Sequence, residues 1–66
     1  MRIDIHVVED TDRHTRQALA DAQEAMLVDD YSKALAMLRI ALAWADVERP
    51  SARTYIMWMI DGTRPP

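Results

Sequence analysis

The segment from Tyr31 to Val47 constrains this chain more than any other, because it is apolar on nearly every side. Tyr31, Ala34, Leu35, Leu38, Ala41, Leu42 and Ala45 form one continuous stripe at helical spacing, and Met37, Ile40, Trp44 and Val47 form a second. Only Ser32, Lys33, Arg39 and Asp46 are clearly polar. A helix that is hydrophobic around most of its circumference has to be covered on most sides. One neighbouring helix covers one stripe; the second must meet another segment, another subunit or a partner.

Upstream, Ala18, Leu19, Ala22, Ala25 and Met26 share one face, which predicts a helix over about 12–28. That face is mostly alanine, so a second helix can approach closely. Asp29-Asp30 breaks the pattern and can cap the next helix, over about 31–47, giving an antiparallel hairpin. Before it, Ile3, Ile5 and Val7 alternate with Arg2, Asp4 and His6, which predicts a short strand over about 2–8. A lone strand needs a pairing partner for its backbone groups, so Ile3, Ile5 and Val7 are candidate oligomerisation residues. Pro50 interrupts the second helix. The run over 54–60 suits a helix or a strand by periodicity alone, but Ser51 as a cap and Gly62 as a stop favour a helix over about 51–61, with a tail at 62–66. The expected fold is mainly α: a short N-terminal β-strand, a helix hairpin and a short C-terminal helix in one small domain over 1–66.

A chain of 66 residues buries a marginal core, and with no Cys it has neither disulfides nor thiolate zinc sites to reinforce it. Oligomerisation remains, with a homodimer favoured. No apolar run approaches the roughly 18–20 residues of a membrane span. Met1-Arg2-Ile3-Asp4 lacks the basic head and apolar middle of a signal peptide, so a cytoplasmic location is expected. The net charge of −3 argues against a general polyanion binder, and the single Gly, Gly62, excludes a Gly-rich phosphate loop. Charge is uneven: residues 1–30 hold eight acids and three bases, net −5, and residues 31–66 hold three acids and five bases, net +2.

Two resemblances bear on function. Ala22, Asp30-Tyr31, Ala34 and Ala41-Leu42 fall at the small-residue spacing of a tetratricopeptide-type hairpin, so the stretch from Ala18 to Asp46 resembles one such repeat, which implies a protein-binding surface. It departs from that pattern at Asp21, Asp29 and Asp46, where an apolar residue, Gly and Pro are usual, and it is present in one copy. The order strand, helix, turn, helix also resembles the ribbon-helix-helix DNA-binding family. That implies a strand-paired dimer with Arg2, Asp4 and His6 facing DNA, against which the acidic Asp4 counts.

Chemistry is sparse. His6, Asp10, Asp12 and His14 are the only cluster with metal-ligand character, at a spacing that matches no compact site; no metal or cofactor is expected. Neither Ser32 nor Ser51 has a neighbouring His, and catalysis is not expected. Met37, Ile40 and Trp44 with Met57, Trp58 and Met59 suit either an irregular intrachain core or an adaptable partner interface, since Met and Trp fill cores and are also enriched at binding hot spots; they are the candidate partner-binding residues. The expectation is a small acidic, non-catalytic protein-binding module of adaptor, antitoxin or inhibitor type, such as phage and bacterial accessory proteins provide, acting by occupying a partner's surface. The alternative is a ribbon-helix-helix-like dimeric DNA-binding regulator.

Overall fold

The structure, a computed structural model, describes residues 12–63. Three α-helices run in order: α1 (Arg13–Leu27), α2 (Tyr31–Glu48) and, after one 3₁₀ turn at Pro50–Ala52, α3 (Arg53–Gly62). The expected mixture of strand and helices is corrected here: the described residues contain no strand and fold as helices alone. The strand read over 2–8, with Ile3, Ile5 and Val7, lies outside the described residues. The ambiguous run over 54–60 is helical because helical spacing lets it bury Ile56 in a notch made by Ala18, Ala41 and Ala45.

The hairpin turns through a C-terminal motif built without glycine. The Asp30 N–H donates to Ala25 O at 2.9 Å and the Asp29 N–H to Met26 O at 3.1 Å, which satisfies the last carbonyls of α1. This geometry needs a left-handed residue after the cap, and Asp29 takes that role with φ 58°. Asp30 then caps α2, its Oδ1 accepting from the Lys33 N–H at 3.1 Å.

Beyond the turn the two helices bury small residues against each other. Thr15, Ala18, Ala22 and Ala25 of α1 and Ala34, Leu38, Ala41 and Ala45 of α2 are the buried positions. Residues equidistant from the turn form layers: Ala25 with Ala34, Ala22 with Leu38, Ala18 with Ala41, Thr15 with Ala45. All but one of these layers is small against small, so the helix axes can approach closely. Leu38 and Ile56 are the largest side chains to be fully buried. Burial of each contributes about 1.5–3 kcal/mol.

Pro50 opens the 3₁₀ turn, where its missing N–H costs nothing, and the chain swings α3 across the hairpin. Ile56 enters the core, with Leu19, Leu42, Ala52, Met59 and Ile60 packed around it. The stop of α3 differs from the expected glycine signal. Gly62 stands inside the helix without positive φ, and Thr63 ends it, its Oγ1 donating to Met59 O at 2.7 Å. No helix among the described residues is long and apolar enough to cross a membrane.

Candidate functional site

Two features stand apart from the core: a polar clamp at the open end of the hairpin and large apolar side chains on its outside. The clamp begins with a failure of local capping. Asp12 holds the N-cap position of α1, yet its side chain makes no bond to the helix N–H groups. It faces arginines instead. Arg49 Nη1 donates to Asp12 Oδ2 at 2.7 Å, while Arg16 Nε lies 3.0 Å from Oδ1 as an ion pair without the alignment of a hydrogen bond.

Glu48, the last residue of α2, does the capping from across the hairpin. Its Oε1 accepts from the Thr15 N–H at 2.8 Å and the Thr15 hydroxyl at 2.9 Å. Its Oε2 accepts from the His14 N–H at 3.3 Å and stands 2.6 Å from His14 Nδ1. Burial pushes the carboxyl up, but the Thr15 backbone, the His14 ring, the Thr15 hydroxyl and the His14 backbone together outweigh it and hold Glu48 at about 2, against an ordinary 4.5. The carboxylate is therefore ionised at neutral pH, and Nδ1 of His14 is the donor. A negative charge at the C-terminal end of α2 is poorly placed for its own helix dipole. Beside the N-terminus of antiparallel α1 it is well placed.

The clamp also fixes an aromatic. With Nδ1 held by Glu48, the His14 ring stacks on Trp44, centroids 4.0 Å apart and planes 14° from parallel. Trp44 nevertheless remains 39% exposed, beside Ile40 at 42% and Val47 at 79%. On α3, Trp58 is 71% exposed and lies near Tyr55, with ring centroids 6.4 Å apart. Met57 is exposed beside them. Met59 turns inward, where with Tyr55 it helps line a groove of about 300 Å³ between α3 and the hairpin, together with Leu19, Ala22, Met26 and Leu38.

The structure therefore divides the six expected interface residues instead of gathering them. α3 packs on the flank of α2 that carries Leu42. Trp44 is two residues further on, about 200° round the helix, on the flank facing His14. Met37, Ile40 and Trp44 belong to the outer side of α2, with Met37 half-buried. Met57 and Trp58 belong to the outer edge of α3, and Met59 is partly core. The sequence reading missed Tyr55 as a neighbour of Trp58, although i,i+3 spacing on a helix is the signal that pairs them.

Of the residues with metal-ligand character, Asp12 is engaged by arginines and His14 by Glu48; His6 and Asp10 lie outside the described residues. No cluster of three or more such groups able to hold a metal exists among the described residues. Arg2, Asp4 and His6, which the DNA-binding alternative requires, are also outside them. Comparisons with protein-family models, curated proteins and solved structures give no match to this chain.

Proposed function

We propose that this chain is a small, cytoplasmic, non-catalytic protein-binding module, and that it works by laying the outer edge of α3 on a partner protein. The observation that carries this reading is the exposure of Trp58, 71%, on a helix anchored from beneath by fully buried Ile56. Trp and Tyr side by side on a rigid helix are the residue types that dominate interface energies, because they bury much area while losing few rotamers. Met57 adds an adaptable apolar contact beside them. The module is further proposed to act as a homo-oligomer, a dimer in the first instance, because its interior is mainly alanine and supplies little burial for its length.

The test is affinity capture of cellular proteins on the parent chain and on Trp58→Ala. A partner retained by the parent should be lost by the variant, a change of about 2 kcal/mol or more in binding, while the helical circular dichroism of the two chains stays the same. Equal capture by both chains would remove α3 as the binding edge.

A further inference from the structure

We infer that the outer side of α2 is a self-complementary seam on which a second copy of this chain packs antiparallel. This rests on the dimer reading above and assigns its surface. Each buried position of α2 has an apolar counterpart two residues on: Ala34 and Ala36, Leu38 and Ile40, Ala41 and Ala43, Ala45 and Val47. Two residues turn an α-helix through about 200°, so the pattern that packs against α1 is repeated on the opposite side. There Ala36, Ile40, Ala43 and Val47 are all exposed, at spacings of four, three and four. That is the repeat of helix pairs that pack along their length.

The order of sizes along this seam selects a second copy over an arbitrary partner. In an antiparallel pair centred between Ala41 and Leu42, Ala36 of one copy faces Val47 of the other, and Ile40 faces Ala43. Every layer then sets a large side chain against an alanine, which fills space without overpacking. A parallel pair would set Val47 on Val47 and Ala36 on Ala36, leaving alternate layers crowded and empty.

Charge follows the same symmetry. A two-fold axis across an antiparallel pair keeps each flank of one helix beside the same flank of its mate. Arg39 and Asp46 share one flank of the seam, and in this register they lie about 3 Å apart in height on opposite copies, within the reach of an arginine side chain. Asp46 Oδ1 already forms an ion pair with Arg53 Nε at 3.1 Å, but its side chain is 61% exposed, leaving its other oxygen for Arg39 of the second copy. On the other flank Met37 meets Trp44 of the second copy, a sulfur–aromatic contact. The Glu48–His14 clamp holds Trp44 in place for it. α1 and α3 pack on the inner half of α2 and reach the flanks of the seam only through His14 on Trp44 and Arg53 on Asp46, leaving Ala36, Ile40, Ala43 and Val47 exposed.

The direct test is the molar mass of the full chain by sedimentation equilibrium, at concentrations up to hundreds of micromolar. The expected result is a mass approaching twice 7.6 kDa that returns to 7.6 kDa in Ile40→Asp with helicity unchanged. Charge reversal tests the register apart from folding: Arg39→Asp should weaken association several-fold and the pair Arg39→Asp with Asp46→Arg should restore it. As a check on direction, chains carrying Ala36→Cys mixed with chains carrying Val47→Cys should form a disulfide-linked pair. Ala36→Cys alone should not, because the two copies of position 36 are about 17 Å apart along the axis. A parent chain that stays monomeric, or a dimer that survives Ile40→Asp but is lost with Trp58→Ala, overturns the seam. Neither result depends on whether α3 binds a cellular partner, which the capture experiment decides separately.

Discussion

The two sides of α2 are built from the same spacing but carry unequal bulk. Inside, Ala34, Ala41 and Ala45 flank a single Leu38, and all four are buried. Outside, Ile40, Trp44 and Val47 keep 42%, 39% and 79% of their surface. A protein assembled only to be stable would place its large side chains where they leave water, since each carries about 1.5–3 kcal/mol of burial. Here alanines buy a close approach of the helices, and much of the apolar bulk is left facing outward. The inner side accounts for the hairpin; the outer side is the surface we propose for contact with another chain.

That contrast can be broken most severely at Leu38. Replacing the large side chain of the inner stripe, Leu38→Ala, should cost about 2–5 kcal/mol through lost burial and the cavity it leaves. For a domain this small the loss should abolish the cooperative thermal transition followed by circular dichroism. Ile40→Ala, two residues away on the outer side, should leave the unfolding of the monomer at low concentration nearly unchanged. Similar losses at the two positions would end the distinction between the sides.

The second effect lies at the open end. Glu48 is held at about 2 in the folded chain, below its ordinary 4.5, so the unfolded chain takes up the proton first as pH falls. The stabilisation from the clamp should be complete above pH 4.5 and fade between 4.5 and 2. Thermal midpoints measured across that window should fall more steeply for the parent than for Glu48→Gln, which has no carboxyl to titrate. Parallel curves would show that Glu48 does not cap α1.

How far the fold could be read beforehand follows from the range of each signal. The hairpin was legible because its determinants are local: alanines at three- and four-residue spacing in both helices, and Asp30 as a cap. The helix read over 12–28 is found at Arg13–Leu27, and the one read over 31–47 at Tyr31–Glu48. The clamp was not legible, because Glu48 and Thr15 are 33 residues apart and neither forms a local motif. The partition of the Met and Trp residues was hidden for a related reason. Which flank α3 covers depends on Ile56 finding the notch among Ala18, Ala41 and Ala45, a match of shape with no periodic signature. At Gly62 the residue type suggested the stop of α3, but the bond from Thr63 to Met59 makes it.

Smaller effects sharpen the account at the helix ends. Asp29 pays for φ 58°, a conformation that glycine adopts freely. Asp29→Gly should raise stability by about 0.5–1 kcal/mol in urea titration; a decrease would mean that the 3.4 Å bond from the Tyr31 hydroxyl outweighs the backbone term. Gly62 is helical, and a Cβ there would meet nothing within 4 Å. Gly62→Ala should therefore stabilise α3 by a few tenths of a kcal/mol, less than the roughly 1 kcal/mol of a helix interior because the site is terminal. Destabilisation on the same titration would show that the helix stops earlier and that residue 62 needs glycine's freedom.

The division between an alanine interior and an aromatic exterior is tested most directly at Trp58, the largest side chain on the outer edge of α3. The measurement is the thermal midpoint of Trp58→Ala beside that of the parent chain, by circular dichroism in the same buffer. If Trp58 serves contact with another protein and Ile56 alone anchors α3, the two midpoints should agree within about 4 °C, the range expected for an exposed substitution. A drop of about 10 °C or more, approaching the loss at Leu38→Ala, would make Trp58 part of the core and contradict the account.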